Sequence, residues 1–257
     1  MTSEPAHITS RDNPLLKELR KLSHEPGAYR KARRIWLEGD HLCRAARERG
    51  VRASMALFTE SIWPTARVEW ADAADKIVIV ADGLMAGISG LESPAPMGFV
   101  LDLPPRPPVE SHAPTVVLDR LQDAGNVGSI LRSAAAFGFK QVIALKGTAA
   151  LWSPKVLRAG MGAHFALRLV ESIEADALAA LTVPLLATSS HTSNEIHKAA
   201  LPWPCAWVMG HEGQGVSAAL MARCAQSLRI PQPGGEESLN VAAAAAVCLY
   251  ESARQRL

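Results

Sequence analysis

The sequence predicts two α/β domains, the second built on a parallel sheet, and three observations support this. The chain has 257 residues, 48% of them apolar and 20% charged. This length is sufficient for two domains of roughly 100 to 150 residues each. Residues 104–114 contain five prolines, which favour an extended spacer over a packed element. After this spacer, short apolar segments alternate with helical ones, as in a parallel sheet covered on both faces. We predict domains at 1–103 and 115–257, joined by a linker at 104–114.

The first predicted domain alternates helices and strands, as expected of a small α/β domain. Helical periodicity covers about residues 13–23 and 40–49. The strand-like segments are IWLEG at 35–39, SMALFT at 54–59, KIVIVA at 76–81 and MGFVLDL at 97–103.

The first domain also concentrates positive charge. Residues 11–52 carry twelve Lys or Arg against six Asp or Glu, a local surplus of six, although the whole chain has a formal net charge of only +2. Such a surface suits phosphate groups. Ordinary solvated helix faces would produce the same composition, so charge alone leaves both interpretations open.

The second predicted domain has a more regular alternation. A helix is expected over about 126–137 and another in the alanine-rich text near the C-terminus. Ligands of parallel sheets bind beyond the carboxyl ends of the strands, so the loops that follow these strands are candidate sites. The predicted strands are TVVLD at 115–119, QVIAL at 141–145, FALRLV at 165–170, PLLATS at 184–189, CAWVMG at 205–210 and SLRIP at 227–231.

Composition argues against several classes of protein. No apolar run is long enough to cross a bilayer, and MTSEPAHITSRDN at the N-terminus does not have the form of a signal peptide. Four scattered cysteines without a CxxC pair suggest neither a zinc site nor a disulfide framework. We expect a cytoplasmic protein with structural thiols and no metal.

The first cluster of candidate site residues lies in LDRLQDAGNVGSILRSAAAFG, after the strand at 115–119. Asn126 and Gly128 stand at the start of the helix, and Arg132 follows one to two turns later. This places a fixed cation near a polar amide at the ligand edge. An N-capped helix with a surface arginine would look the same.

The second cluster, VMGHEGQGVS, follows the strand at 205–210. Gly210, Gly213 and Gly215 surround Glu212 and would let backbone amides approach a ligand, or simply let the chain turn sharply. The GxxGxG spacing matches a dinucleotide-binding loop only loosely.

The third cluster follows the strand at 227–231. The loop 232–237 leads to a helix N-terminus, where Ser238 or Asn240 can cap exposed amides. The alanines at 242–246 permit a close approach to a neighbouring segment or subunit. A plain capped helix is the alternative.

Taken together and in this order, the three clusters resemble motifs 1, 2 and 3 of the SpoU (TrmH-like) RNA ribose 2'-O-methyltransferases in the SPOUT superfamily. LRAGMGAHF at 157–165 resembles a stretch between motifs 1 and 2. ITSRDNPLLKELRKL, WLEGDHLCRAA and ESPAPMGFV resemble the ribosomal-protein-like RNA-binding domain ahead of many SpoU catalytic domains, so nearly the whole chain is covered. His211 and Ala242 depart from the commonest family residues. The motif matches are Asn126, Gly128, Arg132, Gly210, Glu212, Gly213, Gly215, Ile230, Pro231, Gly234, Ser238, Leu239 and Asn240.

This resemblance implies a fold and a cofactor. The fold would be a C-terminal SPOUT domain with a parallel sheet and a trefoil knot, preceded by the small α/β RNA-binding domain. S-adenosyl-L-methionine would lie bent in the knotted loops, and two subunits would pair through the C-terminal helix. By carry-over, the cofactor contacts are Thr188, Gly210, Ile230 and Leu239.

The implied activity is methylation of a ribose 2'-hydroxyl in RNA. Arg132 would stabilise the developing alkoxide, since a guanidinium stays protonated, while Asn126, Glu212, Ser238 and Asn240 orient the reacting groups. By analogy, 23S ribosomal RNA is the first expected substrate and transfer RNA the second. The candidate RNA-binding residues are Arg11, Lys17, Arg33 and Arg34 in the first domain, with Lys155 and Arg158 expected on a dimer surface.

Two other functions are open to the same residues. A non-catalytic RNA-binding or ribosome-assembly factor could keep this fold, although the intact motif residues argue against it. A nicotinamide-dependent oxidoreductase would place its glycine-rich loop after the first strand, with an acidic residue about 20 positions on, and this sequence lacks that arrangement.

Overall fold

The computed structural model describes residues 4–235 and 238–257. The chain forms two compact units. The first contains the residues up to Pro105 together with Trp152–Phe165, and the second contains Arg106–Leu151 with Ala166–Leu257. The strands are β1 Ala6–Ile8, β2 Arg34–Glu38, β3 Met55–Thr59, β4 Ile77–Val80, β5 Met97–Asp102, β6 Thr115–Asp119, β7 Gln141–Leu145, β8 Arg168–Ile173, β9 Leu185–Thr188, β10 Ala206–Gly210 and β11 Gln226–Leu228. The α-helices are α1 Pro14–His24, α2 Ala28–Ala32, α3 Asp40–Glu48, α4 Trp63–Trp70, α5 Asp82–Met85, α6 Ala124–Ala136, α7 Pro154–Gly160, α8 Ala218–Met221 and α9 Val241–Arg254.

The first unit is built on a mixed five-stranded sheet in the order β1-β4-β3-β5-β2. Strand β5 runs antiparallel to both β2 and β3. Helix α1 begins where the Asn13 side chain accepts a hydrogen bond from the Leu15 amide at 2.9 Å, an N-cap that satisfies an otherwise free donor. Its leucines at 16, 19 and 22 recur at helical spacing and are all buried, so this face of α1 packs on the core.

The segment Trp152–Phe165 belongs to the first unit, although the sequence predicts it within the second domain. Helix α7 packs on α1 and β2, and Leu157 is buried in the core of the first unit. A Cβ on Gly162 would overlap the side chain of Ala45, so glycine permits this close approach. Residues 152–165 lie between β7 and β8 in sequence, and apolar packing holds them in the first unit.

The second unit contains a six-stranded parallel sheet in the order β11-β9-β10-β6-β7-β8. This confirms the predicted parallel α/β fold. Every residue of β6 and β7 is buried, as expected of strands covered on both faces. Helices α6 and α9 pack against each other.

The proline-rich segment forms neither helix nor strand over residues 103–110, and from Arg106 onward it belongs to the second unit. The side chain of buried Gln141 accepts a hydrogen bond from the Glu110 amide at 2.8 Å and donates to the Glu110 carbonyl at 3.2 Å. Val109 packs against the apolar core. The units divide after Pro105, and contacts of Val109 and Glu110 hold the start of the second unit in place.

Two predicted strand boundaries are wrong. The strand predicted at 165–170 begins only at Arg168, because Ala163–Ala166 forms a 3-10 turn. The strand predicted at 227–231 is Gln226–Leu228, since Arg229 already bridges to Glu195 outside the sheet. Within the described residues, no helix is both long and apolar enough to cross a membrane.

Candidate functional site

A cavity of about 700 Å³ lies in the second unit, beyond the carboxyl ends of β9 and β10. Its walls come from the loops after these strands and from the segment that leads into α9. The four predicted cofactor contacts, Thr188, Gly210, Ile230 and Leu239, all line it. The volume lies within the range of about 300 to 1,000 Å³ typical of small-molecule and cofactor sites.

A hydrogen-bonded network joins the three sequence clusters beside this cavity, which Glu212 and Asn240 line and Asn126 does not. The side-chain Nδ2 of Asn126 donates to the Glu212 carboxylate at 3.2 Å, and the side-chain Nδ2 of Asn240 donates to Asn126 Oδ1 at 3.0 Å. Asn240 Oδ1 accepts from the amides of Ala242 and Ala243 at 2.9 and 3.3 Å. Asn240 is therefore the N-cap of α9 through its Oδ1 atom. Its Nδ2 atom binds Asn126 of the first cluster, which in turn binds Glu212 of the second.

Glu212 is held in place by backbone donors as well as by Asn126. The amides of Gln122 and Asp123 donate to its carboxylate at 3.1 and 3.0 Å. Burial alone would raise the pKa of Glu212, but these amides and Asn126 favour the charged form and lower the pKa below its ordinary value. The network is consequently built around a carboxylate that is ionised at neutral pH.

The loop that carries Glu212 has a tightly specified backbone. His211 and Gly215 exchange two backbone hydrogen bonds, of 3.0 and 2.8 Å. A Cβ on Gly210 would overlap the backbone of Gly215 and Val216, so this position requires glycine. The Gly213 amide donates to His211 Nδ1 at 3.0 Å, which places the proton of the neutral ring on Nε2. His211 lines the cavity wall.

The other two predicted catalytic residues have different positions. Ser238 lines the cavity, while Glu236 and Glu237 of the predicted loop 232–237 lie outside the described residues. Arg132 does not line the cavity of its own chain. Its side chain is exposed, and it has no hydrogen-bond or ion-pair partner in the part of the chain that the structure describes.

Helices α6 and α9 run side by side in the same direction. The Asn240 to Asn126 bond joins their N-terminal ends, and an edge-on contact of the Phe137 and Tyr250 rings, with centroids 5.7 Å apart, joins their C-terminal ends. Each helix presents an exposed row at helical spacing. The rows are Ser129, Arg132 and Ala136 on α6, and Ala243, Val247, Tyr250 and Arg254 on α9.

All six predicted RNA-binding residues fall in the first unit, including Lys155 and Arg158 on α7. Arg11 and Lys17 are exposed, and Lys17 pairs with Asp12 at 3.2 Å. Arg33 donates to the Leu103 carbonyl at 3.3 Å, and Arg34 pairs with Glu18 at 3.3 Å. Since α7 packs on α1, the structure brings Lys155 and Arg158 to the helix that carries Lys17.

Sequence reasoning missed two groups of residues around the cavity. Asp119, Gln122 and Asp123 fix the loop of Glu212 from the end of β6. The only sequence feature that points to these residues is an acidic residue at the carboxyl end of a strand, followed by polar residues. The cavity is also lined by residues outside the three clusters, namely Ser189, Ser190, His191, Met221 and Arg229.

Fold and site together define a parallel α/β protein with a cavity of cofactor size at the carboxyl edge of its sheet. The described residues contain no group of three or more His, Cys, Asp or Glu side chains suited to a metal ion. The chain belongs to the SpoU rRNA methylase family, whose model matches residues 113–250.

The similarity to known proteins covers nearly the whole length of the chain. The uncharacterized tRNA/rRNA methyltransferase of Synechocystis is 32% identical over 100% of this chain and 96% of its own length. The 23S rRNA (guanosine-2'-O)-methyltransferase RlmP of Bacillus subtilis is 28% identical over 95% of this chain and 97% of its own. The crystal structure of an AdoMet-bound rRNA methyltransferase from Sinorhizobium meliloti has a TM-score of 0.84 at 25% identity and covers 98% of both chains.

Proposed function

We propose that this protein transfers a methyl group from S-adenosylmethionine to a ribose 2'-hydroxyl of RNA, with 23S ribosomal RNA as the substrate. The observation that carries this proposal is the network in which Asn126 binds both Glu212 and Asn240, two residues that line the cavity, so that three separate motifs are joined beside it. Family membership and the rRNA methyltransferases among the relatives support it. The four free cysteines agree with a reducing cytoplasm.

The residues around the cavity fit S-adenosylmethionine. Gly210 lines the cavity and packs directly on the backbone of Gly215 and Val216. Apolar Ile230 and Leu239 line the cavity together with polar Thr188 and Ser238. This combination suits a ligand with an aromatic base, ribose hydroxyls and an amino-acid tail. When bound, S-adenosylmethionine supplies an already activated sulfonium methyl group, so the protein must mainly orient the hydroxyl and help the removal of its proton.

The residues of the chain divide this work. Glu212, Asn126 and Asn240 hold one another in fixed positions, so that the polar atoms at the cavity are preorganised. Ser238 adds a hydroxyl at the same wall. Arg132 stabilises the developing alkoxide electrostatically, and an RNA phosphate accepts the proton, since guanidinium does not act as a base at neutral pH.

Arg132 acts at the cavity of a partner subunit in this proposal. Two observations support a homodimer through α6 and α9: Arg132 lies outside its own cavity, and Val247 and Tyr250 expose 39% and 51% of their surfaces on the adjoining helix. Exposed apolar side chains in one row suit a self-complementary contact. The trefoil knot and the ribosomal-protein-like character of the first unit are further parts of this proposal, taken from the family resemblance.

Arg132→Ala is the decisive variant. We expect loss of methyl transfer to RNA with S-adenosylmethionine affinity unchanged within a few fold, because the guanidinium acts on the developing charge and not on the bound cofactor. A tritiated-methyl assay and calorimetry measure the two quantities. Arg223→Ala, another exposed arginine of the second unit, is the control and should keep full activity.

Three outcomes would contradict the proposal. Equal loss of cofactor affinity and activity in Arg132→Ala would remove the proposed role. A protein that is monomeric by light scattering and fully active in the methyl-transfer assay would exclude action across a dimer. Mapping of 2'-O-methyl sites in cells that lack the protein should show a missing site in 23S ribosomal RNA, and a change confined to transfer RNA would reassign the substrate.

A further inference from the structure

The end of β6 carries a second set of contacts to the cavity loop, distinct from the Glu212 network. Asp119 is the last residue of β6, and only 3% of its side chain is exposed. Its carboxylate accepts a hydrogen bond from the Ser217 amide at 2.8 Å and two from the Arg120 guanidinium, at 2.9 and 3.4 Å. Arg120 reaches further and donates to Gln214 Oε1 at 3.2 Å. Gln214 lines the cavity.

The backbone of Arg120 has an unusual conformation. Its φ is +61°, in the left-handed region that a side chain other than glycine or asparagine seldom adopts. Such conformations persist where the surroundings determine them, and they cluster at functional sites. Here the Arg120 amide donates to Thr148 Oγ1 at 3.1 Å, which helps to hold the backbone in the conformation from which the side chain contacts both Asp119 and Gln214.

The 211–217 loop is therefore held from two sides. Glu212 is fixed by the Gln122 and Asp123 amides, while Gln214 and Ser217 are fixed by Arg120 and Asp119. Arg120 itself does not line the cavity. We propose that Arg120 is a positioning residue for cofactor binding, which acts through Gln214 to keep the 211–217 loop in its binding shape.

This inference rests on the proposed use of the cavity for S-adenosylmethionine, and the experiment measures binding directly. By calorimetry on the full-length protein, Arg120→Ala should weaken S-adenosylmethionine binding by about ten-fold, the size expected for loss of a charge-assisted hydrogen bond. At saturating cofactor, kcat should stay within about three-fold, because the loop is restored once the cofactor fills the cavity. Arg120→Lys should restore only part of the affinity, since an ammonium lacks the planar fork that spans Asp119 and Gln214.

A double-mutant cycle tests whether the effect passes through Gln214. Gln214→Ala alone should weaken binding, and adding it to Arg120→Ala should produce little further loss, because coupled residues are not additive. The matched control is Arg168→Ala, in the same unit, with 38% of its side chain exposed against 37% for Arg120 and with an ion pair to Glu110. Its cofactor affinity should match that of the unmodified protein.

The proposal is overturned if Arg120→Ala keeps normal affinity, if the two effects add independently, or if Arg168→Ala weakens binding equally. Should Arg120→Ala fail to fold, Gln214→Ala at its exposed position still decides, since normal affinity there would also overturn the proposal. Unmodified protein that binds S-adenosylmethionine but methylates no RNA would refute the proposed function and leave the assignment of Arg120 intact.

Discussion

At the scale of single residues, the site depends on carboxylates that the fold keeps ionised. Glu212 and Asp119 both lie near the end of β6, and hydrogen bonds lower the pKa of each despite the opposing effect of burial. Glu212 could be predicted because its motif resembles the family pattern. Asp119 and Arg120 could not, since their partners Gln214 and Ser217 lie more than 90 residues away and only the folded sheet brings them together.

The lowered pKa of Glu212 predicts a pH signature for Glu212→Gln. A carboxyl group whose pKa falls on folding stabilises the protein fully above its ordinary pKa of 4.5, and this stabilisation is lost as the pH falls through the lower folded value. The difference in Tm between the unmodified protein and Glu212→Gln should be constant from pH 7 to pH 5 and should shrink below pH 4.5. Thermal melts at a series of pH values measure it.

The control for this series is Glu48→Gln, which removes an exposed carboxylate at the end of α3, in the first unit and outside the Glu212 network. A difference that grew on acidification would contradict the assigned direction of the Glu212 pKa shift.

At the scale of elements, α9 shows how a cap can serve a site. The sequence predicts Ser238 or Asn240 as the cap, and in the structure the cap is Asn240. Most strands and the main helices could be predicted, because apolar period and cap residues are local signals. The ends of β8 and β11 could not, since a 3-10 turn and the bridge between Glu195 and Arg229 depend on contacts that are remote in sequence.

Two substitutions at Asn240 separate the cap from the network. Asn240→Ala removes the cap and should lower the free energy of unfolding by about 1 kcal/mol. Asn240→Asp keeps an acceptor for the Ala242 and Ala243 amides, and its charge suits the helix N-terminus, so stability should be nearly unchanged. Aspartate cannot donate to Asn126, however, and methyl transfer should fall in both variants. Denaturant unfolding and the methyl-transfer assay measure the two effects, and full activity in Asn240→Asp would exclude a role for the bond to Asn126.

At the scale of the whole molecule, the division into two units differs from a simple division of the sequence. The linker prolines marked the boundary near residue 105, but the placement of α7 in the first unit could not be predicted, because Leu157 and Gly162 reveal their partners only in the fold. Deleting residues 1–103 would therefore strip Trp152, Leu157 and Phe165 of their apolar partners. Surface charge reversals in the full chain test RNA binding without this disturbance.

The double charge reversal Lys155→Glu with Arg158→Glu should weaken RNA binding and leave S-adenosylmethionine affinity unchanged. The reason is that Lys155 and Arg158 lie in the first unit beside α1, while the cavity is lined by the second unit alone. For single-stranded RNA, the slope of log affinity against log salt should become shallower by about 0.7 for each phosphate that the variant no longer neutralises. Filter binding at several salt concentrations measures affinity and slope together. Lys140→Glu with Lys146→Glu makes the same change in net charge on exposed lysines of the second unit, so an equal fall in RNA affinity there would show that total charge, and not this surface, holds the RNA.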